Sequence, residues 1–128
     1  MIDEGRPLFL QIAEAIEESI LDGTLTEDGQ APSTNELAAF YRINPATAAK
    51  GVALLVDKQV LLKRRGIGMF VAAGARSILL AERRTAFAER YIDPLITEAR
   101  TLGLDAEDLA ALLRERAAGP ASTEGNPQ

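Results

Sequence analysis

A mostly α-helical chain with one small β-hairpin is predicted by three observations on this sequence. In residues 44–56, NPATAAKGVALLV, the residues Ala48, Gly51, Val52 and Leu55 recur at helical spacing and give one buried stripe. A second short helical segment, opened by Ser33 and Glu36, stands directly before it. After Asp57 the helical period gives way to two apolar runs, Val60-Leu61-Leu62 and Met69-Phe70-Val71. They flank Lys63-Arg64-Arg65-Gly66-Ile67-Gly68 and read as a hairpin.

In chain order, Pro7 starts the first helix. Leu8, Ile12, Ala15, Ile16, Ser19 and Ile20 form one face, Glu14, Glu17 and Glu18 the other, and Asp22-Gly23 supplies the stop. Residues 24–31 are a polar loop with Asp28-Gly29 as its turn. Ser33 caps the next helix, and Glu36 completes a capping box ahead of Leu37, Ala38 and Phe40. That helix ends near Tyr41-Arg42-Ile43. Asn44 caps the following one, with Pro45 in the first turn, where a missing N–H costs nothing. Ala72-Ala73-Gly74 reads as a brief hinge. Residues 75–102 form a long helix whose stripe is Leu80, Phe87, Ala88, Tyr91, Ile92, Leu95, Ile96, Ala99 and Leu102. Asp93-Pro94 either kinks this helix, the favoured reading, or restarts it with Asp93 as cap. Gly103 ends it and Asp105 caps a last helix, with Leu109, Leu112 and Leu113 facing inward and Gly119-Pro120 as its stop. The polar remainder reads as a disordered tail. The expected organisation is a first domain over residues 1–73, a helical segment over 74–118 and a tail over 119–128.

Composition narrows the function. At 128 residues the chain is one domain, or a small domain with an appendage. It has no cysteine and no histidine, which removes disulfides, thiolate metal sites, the commonest general base and the commonest metal ligand. No clustered carboxylate pair accompanies a nucleophile, so the expectation is a non-enzyme without metal or cofactor. No apolar run approaches a membrane span, and Met1-Ile-Asp-Glu-Gly lacks the basic start of a signal peptide. A soluble, cytoplasmic protein is expected. The formal charge of −5 argues against nucleic acid until its distribution is considered. Residues 1–34 carry one cation and eight acids, residues 35–72 six cations and two acids, and residues 73–128 seven cations and nine acids. The positive charge sits with the 44–56 helix and the hairpin.

Two short helices joined by about three residues fit a helix-turn-helix. The outer face of the second carries Ala46, Thr47, Ala49 and Lys50. Small side chains allow close approach, and a major groove admits one α-helix; the plain alternative is an ordinary core helix. A basic hairpin directly after it is a wing, whose cations neutralise phosphates and whose glycines let backbone enter a minor groove. The alternative there is a solvated edge hairpin defended by charge.

The stretches PLFLQIAEAIEESILDGTL, APSTNELAAFYRINPATAAKGVALL and KRRGIGMFV resemble the winged helix-turn-helix domain of the GntR family of bacterial transcription regulators, over roughly residues 6–72. The NP before the second helix, and PLITEARTLGL downstream, are similar to the YtrA-like subfamily, which has a two-helix dimerisation segment in place of a large effector domain. This resemblance implies a sequence-specific DNA-binding transcriptional regulator, a repressor, acting as a homodimer on double-stranded operator DNA. The chain departs from the family pattern at three positions. Asn35 stands where the family has a DNA-contacting arginine, Val52 where it has an aromatic, and Ala48 where it has a small branched residue. Operator preference therefore does not carry over.

The candidate DNA contacts follow from these elements. Thr47 and Lys50 serve base edges or phosphate, Lys reaching guanine O6/N7, and Ala46 and Ala49 meet thymine methyls. Asn44 and Pro45 open the same helix. Ser33 and Thr34, with Asn35 beside them, lie at a helix N-terminus where backbone N–H groups bind phosphate; for Ser33 the alternative is a purely structural cap. Arg64, Arg65, Gly66 and Ile67 form the wing tip. Leu80, Phe87, Tyr91, Ile92, Leu95 and Ile96 are expected at a two-fold interface, because so wide a stripe cannot be buried within one subunit. A ligand-pocket role for Phe87 and Tyr91 is the less favoured reading, and no residue points to a small-molecule effector, though one is compatible with the chain. The rival function is a winged helix used only for protein–protein binding, which the negative charge suits.

Overall fold

The computed structural model describes residues 4–125, and the side chains of residues 4–119. In order the elements are α1 (Leu8–Leu21), α2 (Thr34–Tyr41), α3 (Pro45–Asp57), β1 (Leu61–Arg64), β2 (Gly68–Val71), α4 (Ala75–Phe87), a π-helical turn (Ala88–Ile92), α5 (Asp93–Thr101) and α6 (Ala106–Gly125). The fold is mostly helical with one antiparallel hairpin. It divides into two compact units, Met1–Arg83 and Arg84–Gln128.

The first unit is closed around Ile12, Ile16 and Ile20 of α1, Leu37 of α2, Val52 and Leu55 of α3, Val60, and the hairpin residues Leu61, Met69 and Val71. The stripe expected on α3, Ala48, Gly51, Val52 and Leu55, is the buried set. On α1 the buried residues are Gln11, Ile12, Ala13, Ile16 and Ile20, and the expected Leu8, Ala15 and Ser19 are half-buried. Phe40 departs furthest from expectation, lying 78% exposed with its ring edge-on to Tyr41. Gly51 explains how closely α1 and α3 approach. A Cβ there would lie 2.8 Å from the Phe9 carbonyl oxygen and 3.3 Å from Ile12 Cβ.

The hairpin pairs Leu61 with Val71, Leu62 with Phe70, Lys63 with Met69 and Arg64 with Gly68. A third strip of backbone joins it. The Ala31 N–H donates to the Met69 carbonyl at 2.8 Å, and the Val71 N–H donates to the Gly29 carbonyl at 2.9 Å. Part of the polar loop at residues 24–31 is thus an edge of the sheet, because backbone ladders need no apolar alternation when one side faces solvent.

The link at residues 72–74, the expected hinge, is hydrogen-bonded to the rest of the first unit. The Ala72 N–H donates to the Val60 carbonyl at 2.9 Å. The Glu27 carboxylate accepts the N–H groups of Gly74 at 2.9 Å and Arg76 at 3.1 Å, and so caps α4 from a distant loop. Those two donors hold the Glu27 carboxyl below its usual range. Ala75 and Leu79 are buried in the same core, so the first turns of α4 belong to the first unit and compactness divides further along than the expected 73/74 boundary.

In the second unit the helix meets Pro94, which lacks an N–H and whose ring crowds the carbonyl four residues back. The chain accommodates it with a wider turn in which the Asp93 N–H bonds to the Ala88 carbonyl. Asp93 itself is helical, φ −60° and ψ −47°, so the helix does not restart with Asp93 as its cap. Gly103, at φ 76°, leads out of α5. Asp105 opens α6 with a reciprocal pair: its Oδ1 accepts the Asp108 N–H at 2.9 Å, and its own N–H donates to Asp108 Oδ2 at 3.1 Å. Two expectations for α6 are corrected. Leu112 and Leu113 are exposed rather than buried, Leu113 in spite of lining the groove beside α5. The helix also continues through Gly119-Pro120 to Gly125, so residues 119–125 are helical where a disordered tail was expected. A proline removes one ladder bond, and the alanines on either side favour the helix. The tail's last residues, 126–128, lie outside the described residues. Among the described residues no helix is long and apolar enough to cross a membrane.

Candidate nucleic-acid interface

Capping sets the start of both helices of the motif. Ser33 Oγ accepts the Glu36 N–H at 3.0 Å while Glu36 Oε1 accepts the Ser33 N–H at 2.9 Å, so the Ser33 hydroxyl is engaged as a structural cap. Asn44 Oδ1 accepts the Ala46 N–H at 2.7 Å, and Pro45 occupies the first turn of α3. The C-cap of α2, Arg42, sits in the left-handed region at φ 58°, which turns the chain sharply between the helices.

The face of α3 away from the core exposes Asn44, Pro45, Ala46, Ala49 and Lys50, with Thr47 half-buried. Beside it a groove of about 470 Å³ is lined by Ser33, Thr34 and Asn35 of the α2 entry, Ala49 and Ala53 of α3, and Lys63 of β1. The structure therefore brings the α2 N-terminus, the outer face of α3 and the hairpin to one side of the first unit. At the tip, Arg65, Gly66 and Ile67 are exposed, and Gly66 adopts φ 78°, a conformation that favours glycine.

Two expected contacts have intramolecular partners. The Lys50 ammonium lies 4.1 Å from the centroid of the Phe9 ring, and the Arg64 guanidinium lies 4.4 Å from that of Phe70. Such contacts are worth about 0.5–1 kcal/mol at exposed sites, a modest restraint. Lys58 is committed more firmly. Its ammonium bridges Glu17 at 2.6 Å and Glu82 at 2.9 Å. Burial alone would lower its pKa, but the two carboxylates outweigh burial and raise it. Among the described residues Lys50, Lys63, Arg64 and Arg65 form no salt bridge, so they are the cations this face offers. Lys63 is the cation that lines the groove, and it is not among the individual contacts expected from the sequence. The signal was present: alternation along β1 sets Lys63 on the face of Leu61 and Arg64 on the other.

The residues expected at a two-fold interface fall in different settings. Leu80 and Ile92 are half-buried, while Phe87, Tyr91, Leu95 and Ile96 are exposed, Phe87 at 56% and Tyr91 at 53%. Ile92, Leu95 and Ile96 line a groove of 660 Å³ between α5 and α6, together with Leu109 and Leu113. Phe87 and Tyr91 lie outside that lining, their ring centroids 5.6 Å apart.

Comparison with known proteins places this architecture. Residues 8–71 match the profile described as bacterial regulatory proteins, gntR family. The chain belongs to the GntR family. This GntR-family protein is 28% identical to the HTH-type transcriptional repressor YtrA of Bacillus subtilis (strain 168) over 109 residues, which is 85% of this chain and 83% of YtrA. Its fold is similar to that of a transcriptional regulator from Oenococcus oeni, with a TM-score of 0.74 and 25% identity over 91% of this chain and 96% of that one. It is also similar to the DNA-binding domain of AraR in complex with operator ORX1, with a TM-score of 0.51 and 30% identity over 56% of this chain and 87% of that one. The GntR-family chain is a DNA-binding transcriptional regulator with a winged helix-turn-helix in its first unit.

Proposed function

We propose that this protein represses transcription by binding an inverted-repeat operator as a homodimer, α3 entering the major groove and the hairpin tip the adjacent minor groove. The observation that carries this reading is the outer face of α3. It presents Asn44, Ala46, Thr47, Ala49 and Lys50 with no bulky side chain, beside a hairpin whose cations form no salt bridge. Thr47 and Lys50 read base edges, Ala46 and Ala49 meet thymine methyls, and Asn44 and Pro45 set the helix against the duplex. The α2 entry at Ser33, Thr34 and Asn35 faces phosphate, and Arg65, Gly66 and Ile67 reach the minor groove.

Pairing runs through the apolar surface of the second unit, chiefly Phe87, Tyr91, Leu95 and Ile96. A closed isologous pair sets two recognition helices for half-sites ~34–36 Å apart, or a multiple of that. The kinship with YtrA, a repressor, supports the direction of regulation.

The test is to select bound duplex from a random pool and then compare Lys50→Ala with the wild type on it. Releasing Lys50 from Phe9 costs about 0.5–1 kcal/mol, less than the roughly 1–3 kcal/mol a base contact contributes. The variant loses the difference at each half-site and relaxes specificity at one position of each. Equal losses on all sequences assign Lys50 to phosphate, and absence of any wild-type shift at low salt rejects the DNA-binding face.

A further inference from the structure

A duplex engaged by a helix in its major groove and a hairpin in the next minor groove must pass one sugar–phosphate strand between the two. The groove between α3 and the hairpin lies where that strand runs, if the reading of the DNA-binding face above holds. Its lining suits the occupant. Val52, Ala53, Val56 and Met69 offer an apolar wall of the kind a deoxyribose packs against, and Asn35 and Lys63 supply the polar groups. One carboxylate, Asp57, also lines the groove, and no salt bridge joins it to Lys63.

Strand alternation decides which hairpin cation serves this groove. Leu61 is buried against the core, and Lys63, two residues on, shares its face and pairs with buried Met69. Leu62 and Arg64 occupy the opposite face, where the Arg64 guanidinium stacks on Phe70. Of the consecutive cations 63–65, only Lys63 lines the groove. We propose that this groove seats one sugar–phosphate strand and that Lys63 is its phosphate-binding cation, a sequence-independent contact distinct from base reading by α3.

The experiment measures binding of full-length wild type, Lys63→Ala and Lys63→Arg by fluorescence anisotropy across a salt series. Two probes are used: a duplex selected from a random pool by the wild type, and an unselected random-sequence duplex. Each bound dimer carries two such contacts, so Lys63→Ala should weaken binding to both probes by the same factor, roughly sixtyfold near 0.1 M salt, and reduce the slope of log K against log salt by about 1.8. Lys63→Arg should restore both. Unchanged affinity and slope overturn the proposal, and so does a loss confined to the selected duplex with the slope intact, which would make Lys63 a base reader. Lack of wild-type binding to either probe rejects the DNA-binding reading itself, a different failure from the loss of one contact. Unchanged thermal unfolding of Lys63→Ala, expected for an exposed side chain, excludes misfolding as the cause of a loss.

Discussion

The two compact units use their apolar residues in opposite ways. In Met1–Arg83 the helices and the hairpin bury a shared set of large aliphatic side chains, with Ile12, Leu55, Val60 and Val71 fully inaccessible. In Arg84–Gln128 Ala99 is the one buried residue among those described, while Phe87, Tyr91, Leu102, Leu112 and Leu113 stay exposed. A sheet edge packed against helices closes a core within one chain. Two short helices cannot, because each buries one stripe and leaves the rest to solvent. Apolar surface left open in this way marks an interaction site. The first unit closes its own core and offers polar chemistry outward; the second leaves apolar side chains open, and these are the surface that the proposed pairing uses.

The largest expected effect separates the units directly. Leu55→Ala, in the closed core, should cost about 2–5 kcal/mol in chemical denaturation. Leu113→Ala, at a side chain 57% exposed, should leave the unfolding of the first unit unchanged and weaken self-association instead. Equal effects of the two on unfolding would erase the distinction drawn here. Next in size is Gly51→Ala. Alanine gains about 0.5–1 kcal/mol of helix preference over glycine, but a methyl 2.8 Å from the Phe9 carbonyl forces α1 and α3 apart. Overpacking of about 1–3 kcal/mol should win, so the variant should unfold at lower denaturant. A stabilised variant would show that the two helices have room to spare.

The smallest effect concerns the joint between core and α4. Glu27 has a lowered folded-state pKa because it accepts the Gly74 and Arg76 N–H groups. A depressed carboxyl contributes stability above its unfolded value, and that contribution is lost as pH falls through the folded value. Wild type and Glu27→Gln should therefore converge in stability as pH drops below the usual carboxylate range and differ most near neutrality. A constant difference across that window would remove the charge of Glu27 from the cap.

What was legible in the sequence was local. The α3 stripe, the Ser33–Glu36 box, the Asn44 cap and the Gly66 turn each depend on residues within a turn or two, so spacing alone exposes them. What escaped was non-local. Glu27 caps a helix 47 residues downstream, Lys58 is bound to Glu17 and Glu82 in two other helices, and residues 29–31 join a sheet without any strand-like pattern. In the candidate site the same division holds. The exposed face of α3 was readable, whereas the stacking of Lys50 on Phe9 and the place of Lys63 in the groove depend on elements far apart in sequence. The π-helical turn ahead of Pro94 was half legible, since proline announces a disturbance without saying how the ladder absorbs it.

The proposed division of labour between a closed reading unit and an open pairing unit is tested most directly by sedimentation equilibrium of the full chain, alone and with the selected duplex. The account predicts twice the 13.7 kDa chain mass at micromolar concentration, and one such dimer on a duplex whose selected sequence is an inverted repeat. A monomer that binds a site without two-fold symmetry at full affinity would contradict it.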